Sequence, residues 1–295
     1  MVMEAILGRS QGADFTSNSL LGQRVQYTSF ESAGGKFQKG ENLSRNEPVA
    51  MKSYKLEESN IVTFYGRKNY LSTFSDSPML IAGHMYPTVE HYYEACKIYA
   101  LAGPYHAMHL KQIQDAGKAK SASKQIIQNA GRSRRDVERW KRRDGLLVIR
   151  VGLMEKFRQN PTLREQLLKT GDQLLVQCNQ YDNLWAVGMD AAAFSGWLKD
   201  QGTGKSIEVP AVIEAHTLKD VPEVGKGKNL LGFIMMYVRE CLRSEFGLIG
   251  KVESLRLSEK GDGASSSSNG EAAAAEKSEG GGSGGKGSKE SSSKK

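Results

Sequence analysis

The chain has 295 residues, 39% hydrophobic and 25% charged, a globular composition for one large domain or two small ones. Its longest apolar runs, such as Gly232 to Val238, fall far short of the roughly 20 residues needed to span a bilayer, so a transmembrane protein is excluded and no membrane partner is expected. Lys and Arg outnumber Asp and Glu by 41 to 33, a formal charge of +8 that attracts anions only where it is concentrated on one face.

Met1 to Leu7 lacks a basic segment followed by an apolar run, so no signal peptide is expected and a cytoplasmic or nuclear address follows. Residues 1–59 are rich in Gly, Ser, Asn and Gln with little apolar periodicity, and read as a poorly ordered extension. Residues 60–247 form the domain. Ile61 to Tyr65 is a strand-like run closed by Gly66. Pro87 and Thr88 open a helix, with Thr88 as N-cap and Val89, Tyr92, Cys96 and Ala100 at helical spacing, closed by Gly103 and Pro104. Helices follow over about 105–116 and 121–131. A longer helix begins near Ser133, with Val137, Trp140, Leu147, Val151, Met154 and Phe157 on one stripe.

Asn160 and Pro161 start the next helix, and Gly171 follows its end. Leu174 to Val176 is extended, residues 190–224 read as a loop-rich insertion, and a final helix spans about Asn229 to Arg243. Residues 248–295 read as a disordered tail. From Ser258 onward, 20 of 38 residues are Ser or Gly and none is an aliphatic larger than Ala, too little to offset chain entropy. The expected fold is mainly α, an α+β domain with a few short strands and no βαβα order.

The helix opened by Thr88 carries the most pointed constellation. Glu90 and Lys97 lie seven residues apart, two turns, and so project from one side with Glu94 between them. A carboxylate and an amine converging on one pocket suit acid/base or nucleophilic work. The plain alternative is an exposed stripe in which Glu94 pairs with Lys97. Cys96, Cys178 and Cys241 are too far apart for a metal knuckle, and His84, His91, His106 and His109 lack ligands at zinc spacing, so no metal is expected. Neither a GxSxG elbow nor a GxxxxGK[ST] loop occurs. Gly225 to Asn229 sets two lysines before the final helix, an arrangement suited to phosphate, while Arg239 inside that helix needs an anionic or carbonyl partner. Asp182 stands three residues from Trp185, placing charge beside a stacking surface.

Taken in order, these segments resemble the NADAR family, also called YbiA-like. The landmarks are Phe64-Tyr65-Gly66, Leu71-Ser72-Thr73-Phe74, Ser77-Pro78, the run from Tyr86 through Glu90 to Ala95 with Lys97, and Trp140. They continue with Lys156 to Asn160, Leu167 to Gly171, Asp182 with Trp185, and Gly227 to Gly232 through Met236 to Arg239. Two positions depart from the usual pattern: Thr73 stands where the family has Asn, and Ala186 follows Trp185 where it has Gly.

The resemblance implies a compact multi-helical domain that hydrolyses a bond between ribose C1 and a nitrogen, without a cofactor. It implies an ADP-ribose-containing or phosphoribosyl substrate, either ADP-ribosyl-guanine or a ribosylamino-pyrimidine phosphate of riboflavin synthesis. In this reading Glu90, Lys97 and Asp182 are catalytic, Lys97 as a Schiff-base former or an electrostatic helper. Tyr65, Gly66, Ser72, Phe74, Trp185, Gly227, Asn229 and Arg239 bind ligand. Two other readings stand beside it, a non-catalytic ADP-ribose or NAD binding module and a nucleic-acid-binding protein. The charge supports a nucleic-acid partner: residues 117–158 hold 13 Lys+Arg against 4 Asp+Glu, a local +9 that leaves −1 for the rest of the chain.

Overall fold

A computed structural model describes residues 49–202 and 204–261. The chain divides into two units, residues 1–248 and 249–295; every element lies in the first except the C-terminal part of the last helix. Six strands and eight α-helices are described: β1 Met51–Lys55, β2 Ile61–Phe64, β3 Met79–Ile81, β4 His84–Tyr86, α1 Val89–Ala102, α2 Pro104–His109, α3 Ala116–Asn129, α4 Arg134–Lys141, α5 Asp144–Gln159, α6 Pro161–Lys169, β5 Leu174–Gln177, α7 Ala191–Trp197, β6 Ser206–Pro210 and α8 Leu230–Gly261. The expected α+β architecture, helices with a few short strands, is what the chain adopts.

Helix α1 is the centre of the domain. Its entry is fixed by Thr88, whose hydroxyl accepts from the His91 amide. Every residue from Val89 to Ile98 is buried, because α3 and α5 pack along its sides and α2, α4 and β4 close the remainder. Ala100, expected on the apolar face, is exposed beyond this covered stretch. A helix enclosed on all sides must bury its polar residues as well as its apolar ones. Gly152 of α5 makes the close approach possible: a Cβ there would lie 3.0 Å from both Tyr92 Cδ1 and Val89 Cγ1.

The strands form three separate pairs. β2 runs parallel to β5, with Ile61 opposite Leu174 and Phe64 opposite Gln177, and the crossover between them contains α1 to α6. Leu174, Leu175 and Val176 are wholly buried, as a continuous apolar run in a parallel pair should be. The other edge of β5 is held by a side chain: Asn229 donates Nδ2–H to the Leu175 carbonyl at 2.8 Å and accepts the Gln177 amide at 3.0 Å. β3 and β4 form a short antiparallel hairpin.

Several elements differ from the sequence reading. The helix expected over about 105–116 stops at His109 and passes into a single 3-10 turn over Leu110–Gln112, the helix expected from 121 begins at Ala116, where Asp115 caps it, and the β3–β4 hairpin was not expected. The long helix from Ser133 is two helices, interrupted at Arg142 and Arg143, with Arg143 at φ −124° and ψ −88°. Residues 190–224 contain α7 and β6, and β6 pairs antiparallel with β1, which itself falls inside the stretch read as poorly ordered. The final helix continues past its expected end near Arg243 to Gly261. Residues 1–48 and 262–295, most of the expected extension and tail, lie outside the described residues.

Candidate active site

The first three turns of α1 place two carboxylates in the interior, each with its own lysine. Glu90 is only 4% exposed. Its Oε2 accepts from the Thr73 hydroxyl at 2.9 Å, its Oε1 meets Lys120 Nζ at 3.0 Å, and its amide donates to the Thr73 carbonyl at 2.9 Å. Glu94, one turn on, forms an ion pair with Lys97, whose ammonium also lies 5.5 Å from the Tyr93 ring centre. Each carboxylate therefore has a cation against it, which is what allows the two to be buried, since an unpaired ion costs several kcal/mol. Lys97 is buried with Glu94, whereas Lys120 reaches Glu90 from the surface with its side chain 56% exposed.

Burial and neighbouring charge act on Glu94, Lys120 and Tyr93 in different balances. Burial is the main reason the Glu94 carboxyl lies above the ordinary carboxylate range, with the Glu90 charge adding to the rise and Lys97 opposing it. Burial pulls Lys120 downward, but the Glu90 and Glu94 charges, joined by Asp182, outweigh it and hold the ammonium above its usual range. Tyr93 is pushed far upward, by burial first and then by Glu94, Glu90 and Asp182, so it stays a neutral phenol.

Aromatic rings form one wall. Tyr93 packs edge-on against Trp140 at 5.1 Å and Trp185 at 5.9 Å. The Tyr93 hydroxyl and Trp140 Nε1 are buried without a hydrogen-bond partner among the described residues, so polar atoms capable of bonding line this wall. On the other side Lys120 Nζ stands 5.1 Å from the Phe74 ring centre. Phe74 in turn lines a cleft of about 730 Å³ together with Arg67, Lys68, Tyr70, Ser75 and Asp115. Lys120 thus links the buried Glu90 to a cleft large enough for a drug-sized ligand. Arg67 and Asp115 pair across its rim at 2.6 Å.

The sequence-predicted residues fall into two groups. Glu90, Lys97, Phe74, Trp185 and Asp182 are brought together. Asp182 Oδ1 is taken by the amides of Leu184 and Trp185, at 3.0 and 2.8 Å, which fixes the turn presenting Trp185. The remaining candidates are used by the fold as the structure stands. Ser72 accepts the Phe74 amide. Asn229, at φ 49°, is engaged on β5, and Gly227 is forced by close approach, because a Cβ would come within 2.3 Å of the Ala186 carbonyl. Arg239, 1% exposed, donates to Thr170 Oγ1 at 2.7 Å and to the Gln173 carbonyl at 2.9 Å, bracing the turn into β5. Tyr65 is 62% exposed and Gly66, at φ 83°, turns the chain out of β2.

Thr73, Lys120 and Lys156 were not among the predicted site residues. No local pattern marks Lys120, which sits on an otherwise unremarkable polar helix and reaches Glu90 only through the fold. Lys156 did carry a signal: with Ile149 and Leu153 it occupies an i, i+4, i+7 series that is otherwise apolar, so a lysine there must be buried. Among the described residues no group of three or more His, Cys, Asp and Glu is placed to share a metal ion, and no helix is long and apolar enough to cross a membrane.

Comparison with known proteins supplies a context for this geometry. The NADAR domain pattern matches residues 63–243. The chain is similar to an N-glycosidase of Nostoc punctiforme, 32% identical over 124 residues, covering 42% of this chain and 75% of that one. It is 26% identical to the N-glycosidase YbiA of Escherichia coli over 191 residues, 64% of this chain and 92% of that protein. A riboflavin biosynthesis protein of Vibrio vulnificus is 27% identical over 194 residues, 64% of this chain, and the chain spans 40% of its length. The NMR structure of Escherichia coli YbiA aligns at a TM-score of 0.42 and 24% identity, over 65% of this chain and 89% of that one.

Proposed function

Because the chain belongs to the NADAR domain family, we propose that it is an N-glycosidase, a hydrolase that cleaves the bond between ribose C1 and a nitrogen. The observation that carries this reading is the buried Glu90 carboxylate, held by Thr73 and by Lys120, which also lies over the ring of the cleft-lining Phe74. Cleavage builds positive charge on the ribose ring. A fixed carboxylate stabilises that charge or takes a proton from the attacking water, whose hydroxyl ends on C1 while a proton passes to the departing nitrogen.

Lys97 has two available roles. As an ammonium it contributes positive charge beside Glu94. As an amine it attacks C1 of the opened ribose, where ring opening has left a C1=N imine; the base nitrogen leaves as an amine after taking up a proton, and water then hydrolyses the lysine imine to free the sugar and Lys97. This requires that Lys97 first lose a proton, and Glu94, raised by burial, is the adjacent acceptor. Asp182 orients the sugar or assists the departing base, and Trp185 and Phe74 stack on planar rings. The substrate is an ADP-ribosyl-guanine or a ribosylamino-pyrimidine phosphate. The names of the N-glycosidase relatives support the bond class, and the Vibrio relative's name supports the second substrate.

The purified protein is tested against ADP-ribosylated guanosine, ADP-ribosylated DNA and the ribosylamino-pyrimidine phosphate. Turnover of at least one is expected, with Glu90→Gln folded and slowed by about 10²-fold or more. Near-wild-type turnover by Glu90→Gln would remove Glu90 from the chemistry. Borohydride trapping during turnover separates the roles of Lys97: a covalent adduct lost in Lys97→Ala establishes the Schiff base, and no adduct at saturating substrate leaves the electrostatic role.

A further inference from the structure

Lys156 is wholly buried, yet it meets no carboxylate among the described residues. Buried lysines are ordinarily paired with acids because an isolated ammonium is costly away from water. Here the Nζ donates instead to the Ser72 carbonyl at 2.8 Å and to the Ser75 hydroxyl at 2.7 Å. These are the two ends of one tight turn. Within it the Ser75 hydroxyl and amide also donate to the Ser72 carbonyl, at 2.9 and 3.3 Å, and the Phe74 amide donates to Ser72 Oγ at 3.2 Å.

What stands between the two pinned ends decides the meaning of the arrangement. Thr73 holds Glu90 twice, hydroxyl to carboxylate and carbonyl to amide, and Phe74 faces Lys120, the other partner of Glu90. Both direct partners of the Glu90 side chain therefore touch this four-residue turn. The turn has no regular secondary structure of its own, so its geometry depends on what grips it from outside. Lys156 grips it at both ends from α5, a helix also packed directly on α1. Two hydrogen bonds from one amine fix the spacing of residues 72 and 75, and with it the reach of Thr73.

We infer that Lys156 is a positioning residue that sets Glu90 for glycoside hydrolysis by clamping the Ser72–Ser75 turn, an inference that rests on the N-glycosidase reading above. It does not touch Glu90, meets the cleft lining only at Ser75, and acts on Glu90 through Thr73. Most of the cleft lining, Arg67, Lys68, Tyr70 and Asp115 among it, and the aromatic wall lie outside the turn, so substrate binding changes less than turnover when the clamp is removed, with Phe74 and Ser75 the two lining residues the clamp also holds.

The test is a double-mutant cycle of Lys156→Met and Thr73→Val, assayed on whichever N-glycoside the full chain turns over. Lys156→Met is expected to lower kcat by about tenfold or more while KM moves less than about threefold. The double variant should be no slower than the slower single one within about twofold, since two groups acting through one contact do not multiply. Amide exchange, followed by NMR, gives a readout that needs no turnover. The Glu90 amide should exchange faster in Lys156→Met, and in the milder Ser75→Ala should Lys156→Met not fold, relative to Ile98 and Val238 as reporters of global opening. An unchanged kcat, multiplicative effects, or Glu90 exchange that follows the global reporters would each overturn the clamp. If the wild-type chain cleaves no N-glycoside, the functional reading fails, and exchange at Glu90 alone decides whether the clamp exists.

Discussion

Glu94 and Lys156 share complete burial, and its effect on them has opposite sign because the charged form is the basic form of one and the acidic form of the other. Burial raises the Glu94 carboxyl and lowers the Lys156 ammonium from 10.5 to about 7. For Lys156 the consequence for stability has a definite direction. Below about pH 7 the side chain is protonated in both the folded and the unfolded chain, so the cost of burying the ammonium is fully present. From there up to the ordinary lysine range the unfolded chain still holds a proton that the folded one has released, and stability rises with pH. Lys156→Met has no such group. The stability of the wild type relative to Lys156→Met, from urea unfolding, is therefore expected to increase between pH 7 and pH 10, and a difference flat with pH would show that the lysine is hydrated. The clamp survives this titration, since a neutral amine still carries two hydrogens for Ser72 and Ser75.

Among the elements, α1 was legible in outline and hidden in its surroundings. Thr88 as N-cap, the apolar spacing and the Gly103 stop are local signals, and the helix starts and ends where they place it. That Glu90, Glu94 and Lys97 face inward is not local, because it depends on α3 and α5 closing over a side that composition alone reads as solvated. The same holds for the Arg142–Arg143 break, which an apolar stripe continuous through Trp140 and Leu147 conceals, and for Lys120, which belongs to the site only through tertiary approach. Asn229 and Arg239 show the converse. The need of Arg239 for an anionic or carbonyl partner was visible and Asn229 was read as a ligand contact, and the chain's own groups engage both: Asn229 is bonded to β5, and Arg239 to Thr170 and the Gln173 carbonyl. The packing that encloses α1 predicts contrasting outcomes for two helical glycines. Gly152→Ala forces a methyl against the immobile Tyr92 and Val89 and should destabilise the domain by about 1–3 kcal/mol and slow hydrolysis. Gly196→Ala in α7 meets nothing within 4 Å and should stabilise it by a few tenths to about 1 kcal/mol. Thermal or urea unfolding reads both, and equal shifts for the two would mean that α1 and α5 are not in close contact.

For the molecule as a whole, the local +9 of residues 117–158 does not translate into nine free charges. Lys120 serves Glu90, Arg150 meets Glu214, Arg158 bridges Glu155 and Glu245, and Lys156 is buried. The remaining concentration is narrower and lies around α4. Arg132, Arg134, Arg135, Arg139, Arg142 and Arg143 are exposed there, and Arg134, Arg135 and Arg142 meet no carboxylate among the described residues. The opposite face of this short helix carries Trp140, which packs on Tyr93 in the wall of the site. One element thus contributes to the wall of the site on its inner side and presents arginines on its outer side, the arrangement needed if the glycoside is carried on a nucleic-acid strand. Phosphate contacts release counterions, so log Kobs falls with log salt by about 0.7 per contact on single strands, whereas a free nucleoside releases few. Replacing Arg134, Arg135 and Arg142 with Gln is expected to flatten that slope by about 2 for a modified oligonucleotide and to leave turnover of a free modified nucleoside within about twofold. Fluorescence anisotropy at several salt concentrations measures the first and steady-state kinetics the second. A slope unchanged by the three substitutions, or equal salt dependence for strand and nucleoside, would return α4 to a solvated surface and assign the site to a small free substrate.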